Sequence, residues 1–443
     1  MFFPRGGSAN VIRALARCLP AHDWEATILS GSLPGHGDAH VFYAGLDVHA
    51  AEFEPAGTTP MHPSFEDRPG VADGVFAAID DAGFERHVRA WAGNLESAGA
   101  PDADVLHLHH LTPINEAARR IAPHVPVVAH LHGTELLMLE EIDGGAVSWP
   151  HAEAWAQRMR RWARQAHTLV VPSRAQLPRV RSVLGIGEER CVVLSNGVDL
   201  DLFDRREVGR RSHWRRHLAD EPQGWAPGEQ EGSVGYTPEE AERVARHPVV
   251  LYVGRFTAVK RLPLLIRAWA QAEPRFGEPA SLVLVGGHPD EWEGEHPLEA
   301  IAAAGARDVF LAGWHPQEQL PEFLAASDVL VLPSVREQFG MVLPEAMACG
   351  IPPIGVNRFG PAEIIDDGQT GWLVEPDDQQ ALADAIVAAV NEPAERARRG
   401  AAAYAASRER YGWGAIAEQL AEVLDDARAS DAGLGADRLS LLS

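Results

Sequence analysis

The stretch "PVVLYVGRFTAVKRL", Pro248 to Leu262, decides how the chain is read. From Pro248 to Val253 every side chain is apolar, and Gly254 closes the run, so a strand here has no polar face to give to water. Such strands belong to parallel sheets covered on both faces by helices, and the ligands of those sheets gather at the carboxyl ends of the strands. Arg255 and Lys260 lie in or near the turn at that end. Lys260 is the only lysine in 443 residues, the other 38 of the 39 lysines and arginines being arginine. An ammonium is a compact, hydrated point charge, whereas a guanidinium is a wide planar fork. Two cations five positions apart at a strand end suit a pyrophosphate clamp; a loop salt bridge to a nearby carboxylate is the plainer alternative.

Similar apolar runs recur on both sides of this stretch. In the first half they are "EATILSG", "DVLHLHH", "VPVVAHLHG", "HTLVVPS" and "CVVLSNG"; in the second, "SLVLVGG", "DVFLAGW", "DVLVLPS" and "IPPIGVN" follow "PVVLYVG". Alternating with amphipathic stretches, they form the pattern of βα units. The expectation is an α/β chain of two Rossmann-like, doubly wound parallel-sheet domains. Residues 1–204 read as the N-terminal domain and 247–405 as the C-terminal one, with 205–246 an interdomain linker carrying an insertion. Residues 406–428 read as a helix returning to the N-terminal domain, and 429–443 as a flexible tail. Inside the linker, "YTPEEAERVAR" predicts a helix capped by Thr237 with acids in its first turn.

A hydrophobic content of 46% over 443 residues is enough for two ordinary cores. Cys18, Cys191 and Cys349 are far apart and without CxxC spacing, which argues against a disulfide framework or a zinc ribbon and for a reducing cytoplasm. A formal charge of −24 opposes bulk attraction to nucleic acid or anionic lipid. No apolar run reaches the length of a membrane span, and "MFFPRGGSAN" has no room for a signal peptide. The basic run Arg205 to His217 could be a nucleic-acid or lipid patch but reads first as a solvated face, with contact to an anionic acceptor or a membrane as the alternative. "WAQRMRRWARQ", Trp155 to Gln165, reads as an amphipathic helix with its tryptophans inward.

A second chemical segment, "PSVREQFGMVLPEAMACG", follows the strand "DVLVLPS". Glu337 and Glu345 stand eight positions apart, with Phe339, Gly340 and Met341 forming a turn into a helix that accepts Pro344 in its first turn and ends at Gly350. Unpaired backbone N–H groups at that start favour an anion. Glu337 would face it, and Glu345 could accept paired hydroxyls such as those of a ribose. A solvated loop glutamate and a helix-dipole partner are the bland readings.

Together, "VGRFTAVKR" and "EQFGMVLPEAMACG" resemble the G-R-x-x-x-x-K and E-x7-E segments of the retaining family 4 glycosyltransferases with the GT-B fold, the group that includes glycogen and sucrose synthases. "LSNGVDLDLF", "FGPAEIIDDGQTGWLVEPDD" and "RYGWGAIAEQLAEVL" are similar to further segments of that family. The resemblance implies a hexosyltransferase that moves a sugar from a nucleotide-sugar donor to an acceptor hydroxyl of a small molecule, glycan or lipid. UDP would be the first donor nucleotide to try, with GDP and ADP open, and no cofactor or metal is required. The donor would sit on the C-terminal domain and the acceptor on the N-terminal one, with chemistry in a cleft that closes between them. By the same resemblance, Arg255 and Lys260 bind the diphosphate, Glu337 and the amides of Phe339, Gly340 and Met341 meet the donor sugar and phosphate, and Glu345 holds the ribose. The segment "AGWHPQEQL" places Trp314 or His315 near the base. Gly6 and Gly7 match the amino-terminal glycine loop near the donor phosphates, and His132 matches a histidine beside the donor sugar. Only "MFFPR" precedes those glycines where the family has a full first strand, so the strand is short or the stated start lies downstream of the natural one.

The histidines carry a rival reading. His107, His109 and His110 end one strand, and His130 and His132 end another. His-x-His at a strand end also holds zinc in metal-dependent hydrolases, but alternation puts His107 and His109 on one face, where packing suffices. The remaining alternative is a binder of sugar nucleotides that keeps the fold without turnover.

Overall fold

The structure, a computed structural model, describes residues 7–33, 37–66, 74–145, 147–289 and 292–440, with side chains to residue 430. Two compact units are present: Met1–Asn196 with Trp413–Ser443, and Gly197–Gly412.

In the first unit lie β1 (Thr27–Ser32), β2 (Asp47–Glu52), β3 (Leu106–His109), β4 (Val127–His130), β5 (Thr168–Val171) and β6 (Cys191–Val193). β1 pairs with β2, and β3 to β6 form a sheet in chain order, all parallel. The helix Ala152–Gln165 buries Trp155 and Trp162. Val128, Val170 and Leu194 are covered by Val11, Leu15 and Leu19 near the amino terminus and by Ile416, Leu420 and Leu424 from the helix Trp413–Ser440. That helix begins after a break at Tyr411 and Gly412, not at 406. It extends to Ser440, into the residues that read as a loose tail.

The second unit contains β7 (Val249–Val253), β8 (Ser281–Val285), β9 (Val309–Gly313), β10 (Val329–Leu332), β11 (Pro353–Val356) and β12 (Trp372–Val374). β8 and β10 are buried at every position, as the apolar runs require. Their order across the sheet is β12-β11-β10-β7-β8-β9, all parallel. The chain therefore builds outward from β7 in one direction, returns to the other side of β7 as β10, and continues away. Such a reversal opens a crevice at the carboxyl ends of the two neighbouring strands.

Residues 205–246 differ from the linker expected. They fold onto the second unit as the helices Arg210–Arg215 and Pro238–Arg246 with a π-turn between, and Trp214, Leu218, Trp225, Ala241 and Val244 enter its core. The charged and glycine-rich residues that suggested a linker are the outer face of this layer. Thr237 caps its helix as expected, in a capping box with Glu240.

Candidate functional site

Gly254 ends β7, and the buried Tyr252 hydroxyl donates to the Arg255 carbonyl at 2.8 Å, fixing the first bend of the turn. Burial, reinforced by the Glu337 charge, holds that phenol well above its ordinary pKa, so it remains a donor. The chain then makes a single 3-10 turn, Ala258–Lys260, closed by Lys260 N–H donating to the Thr257 carbonyl at 3.0 Å. Arg261 follows in the left-handed region at φ 58°, uncommon for a residue with a side chain. Its guanidinium is gripped by both Asp377 oxygens, at 2.7 and 3.2 Å. This bidentate pair holds the bend that points Lys260 back toward the sheet.

Across the crevice, Val335 N–H donates to the Val259 carbonyl at 3.1 Å, tying the segment after β10 to the lysine turn. Two residues further on, the Glu337 carboxylate is in contact with the Lys260 ammonium. Both side chains are 18% exposed, so the pair lies at the edge of solvent rather than in the core. The loop salt bridge weighed as the plainer alternative for Lys260 is therefore present, with Glu337 as its carboxylate, and Arg255 stands exposed nearby in the chain.

Gly340, at φ +94°, makes the turn that separates Glu337 from the helix Val342–Ala348. A second glycine supports it from below: Gly360 N–H donates to the Glu337 carbonyl at 3.2 Å, and a Cβ at Gly360 would overlap the Phe339 backbone. Gly360→Ala is expected to push the Phe339 turn outward and weaken anion binding at that turn at least tenfold with little change in overall fold. Calorimetric titration beside a circular-dichroism melt checks this.

Glu345 lies in the first turn of that helix and is buried. Gln317 Nε2 donates to Glu345 Oε1 at 2.8 Å. Burial raises the Glu345 pKa to about 7, with the Gln317 hydrogen bond opposing. Trp314 and His315 separate cleanly. The Trp314 indole is 54% exposed. The His315 ring is buried, bonded to the Ala312 carbonyl and Gln319 Oε1 at 3.1 Å each, against His217 and Phe323. Of the two side chains, only that of Trp314 is available to a ligand. Gln317 and Gly360 were not singled out in the sequence, and neither residue type marks itself; what finds them is their contact with Glu345 and Phe339.

In the first unit, Gly7 precedes the helix Ser8–Cys18; Gly6 lies outside the described residues. His132 lies between β4 and the helix Thr134–Asp143, where its N–H donates to the buried Glu135 carboxylate at 3.1 Å. Burial alone would raise the Glu135 pKa, but His110, in charge and hydrogen bond, and His132 bring it down to about 2. The His132 ring hydrogen-bonds His109 at 2.9 Å. His110 reaches from Glu135 to the Ser8 hydroxyl at 3.3 Å, linking the amino-terminal helix to the histidines.

Comparison with known proteins follows the same division. The family described as Glycosyltransferase Family 4 matches residues 5–202, and that described as Glycosyl transferases group 1 matches residues 237–406. The D-inositol 3-phosphate glycosyltransferase of Xylanimonas cellulosilytica is 27% identical over 423 residues, 88% of this chain and 92% of that one. The protein of the same name from Corynebacterium urealyticum is 30% identical over 300 residues, 63% of this chain and 68% of its own. Among solved structures, HepE of Anabaena in complex with UDP and glucose has the same fold, with a TM-score of 0.66 at 22% identity over 95% of this chain and 96% of that one.

Proposed function

The chain belongs to the family 4 glycosyltransferases, and on that premise we propose that it takes its sugar from a nucleoside diphosphate, UDP in the first instance, and transfers it to an acceptor hydroxyl with retention of configuration. Contact of Lys260 with Glu337 across the β7/β10 crevice is the observation that carries this reading. A cation and a carboxylate at the carboxyl ends of adjacent parallel strands, where the strand order reverses, form a seat for a charged leaving group beside a sugar.

As the bond from the anomeric carbon to the diphosphate oxygen breaks, negative charge grows on the diphosphate. Lys260, Arg255 and the backbone N–H groups of Phe339, Gly340 and Met341 meet that charge with dipoles and cations already in place. Glu337 positions the lysine and borders the donor sugar. The acceptor oxygen attacks from the face the leaving group departs, its proton passing to a diphosphate oxygen. Glu345 accepts the ribose hydroxyls, steadied by Gln317, and Trp314 offers its face to the base. On the first unit we assign the acceptor site. Among the described residues no helix is long and apolar enough to cross a membrane.

The test is a thermal-shift series with UDP, GDP, ADP and their glucose conjugates, paired with an assay for released nucleoside diphosphate. A ligand at 100 times its Kd stabilises by about 2.7 kcal/mol, a rise of several degrees, and UDP is expected to lead. If none of these nucleotides moves the melting point and none of the sugar conjugates is consumed, the donor reading fails. The specific acceptor is a separate question, because slow hydrolysis of the donor by water reports the same site.

A further inference from the structure

We propose that His107, His109 and His130 of the first unit form a binding site for a divalent transition-metal ion of the zinc and cobalt class. The juxtaposition comes from sheet register. β3 and β4 pair with His107 opposite Val128, Leu108 opposite Ala129 and His109 opposite His130. Side chains alternate along a strand, so His107 and His109 share a face, and the residue directly opposite His109 joins them there. The rings pack accordingly: centroids lie 4.4 Å apart for His107 and His109, 4.8 Å for His109 and His130, and 5.3 Å for His107 and His130.

One nitrogen from each ring lies within 4.8 Å of the others. Three nitrogens bound tetrahedrally at zinc distances stand about 3.4 Å apart, so closure asks for movements on the order of 1 Å, within the reach of ring rotation. Two details indicate that the cluster is unfinished as pure packing. The Nε2 of His130 is buried and has no hydrogen-bond partner, and buried polar atoms left so are rare. His109 is bonded through Nδ1 to His132 Nε2 at 2.9 Å, which leaves its Nε2 to ligate and supplies the outer hydrogen bond that orients a metal-bound imidazole. Ligation through His130 Nε2 gives that atom its partner, with His107 Nε2 turning to the ion from its 3.2 Å contact with His130 Nδ1.

The donor set selects the metal. Three imidazoles without a carboxylate suit zinc, cobalt, nickel or copper and offer nothing to magnesium or calcium. Since His109 also holds the His132 ring, an ion on the cluster would fix His132 as well, and the metal would set the rigidity of that edge of the sheet.

The experiment uses full-length, untagged protein stripped with a chelator and titrated with Co²⁺ and then Zn²⁺. One equivalent of Co²⁺ is expected, with the visible absorption of a tetrahedral nitrogen site, displaced by Zn²⁺. His107→Ala, at a half-buried position, and His130→Gln should each weaken Zn²⁺ binding at least about 100-fold. Melting curves establish that the variants are folded; should His130→Gln unfold, His107→Ala carries the test alone. Stripped wild-type protein that takes up no stoichiometric Co²⁺, or a folded His107→Ala that keeps the tetrahedral spectrum, overturns the proposal.

Discussion

Lys260→Ala is expected to lower kcat for sugar transfer by about 10²–10³-fold, the usual loss when one preorganised group facing a developing oxyanion is removed. Lys260→Arg should still cost tenfold or more, although arginine is this chain's own preferred cation. The site explains why. Lys260 stands where a short 3-10 turn meets the segment after β10, in contact with Glu337 and with under a fifth of its side chain exposed. A guanidinium there must either push Glu337 aside or swing outward, and in both cases its charge leaves the line of the diphosphate. The plainer role, a salt bridge that pins two loops, makes the opposite forecast. Arginine pairs with carboxylates at least as well as lysine does, so Lys260→Arg would then be nearly neutral, and Lys260→Ala would lower the melting point while sparing kcat. A double-mutant cycle with Glu337→Gln separates the two, because the pairing term cancels when both partners are gone and the diphosphate term does not.

Glu345→Gln is expected to weaken donor binding by about 10–100-fold, the value of hydrogen bonds to a buried charged acceptor, with a smaller effect on kcat. It should also change the pH dependence in a defined direction. The folded protein holds the Glu345 proton up to about pH 7, above the ordinary glutamate value, because burial disfavours the ion. A raised acid contributes stability that is fully present below about pH 4.5 and is lost as pH rises through about 7. Wild-type protein should therefore lose up to about 3 kcal/mol over that interval relative to Glu345→Gln. Ribose hydroxyls donate to the ionised carboxylate, so donor affinity of the wild type should rise from pH 6 to 8 while that of the variant stays flat. Equal donor affinity in the two proteins across this range would remove Glu345 from the site.

All ten apolar runs singled out in the sequence contain strands, and those of the second unit, buried almost throughout, show their composition most plainly. The two strands not singled out fail for opposite reasons. β2, "DVHAAE", carries charge at both ends and is buried at only one position, so it lacks the apolar signature. β12 has only three residues at a sheet edge. Residues 205–246 misled because their polar outer face dominates the composition, while the positions that bind them to the core, Trp214, Leu218 and Trp225, are few and widely spaced. The site was legible as separate ends. Lys260 and Glu337 each stood out at a strand terminus, yet their contact depends on β7 and β10 being neighbours, which is a property of sheet order. His130 shows the same limit: alternation within β3 is readable, but register against β4 is not.

The helix Trp413–Ser440 has a consequence for how the chain comes into being. It covers Val128, Val170 and Leu194, yet residues 197–412 stand between it and the rest of its own unit. At ordinary ribosomal speeds those residues take about 10–40 s to synthesise. For that interval the nascent first unit waits with part of its core bare, while the second unit, continuous in the chain, is free to fold at once. Biogenesis should run second unit first, and a chaperone that holds nascent chains should engage residues near β4 and β5 until the carboxyl-terminal helix arrives.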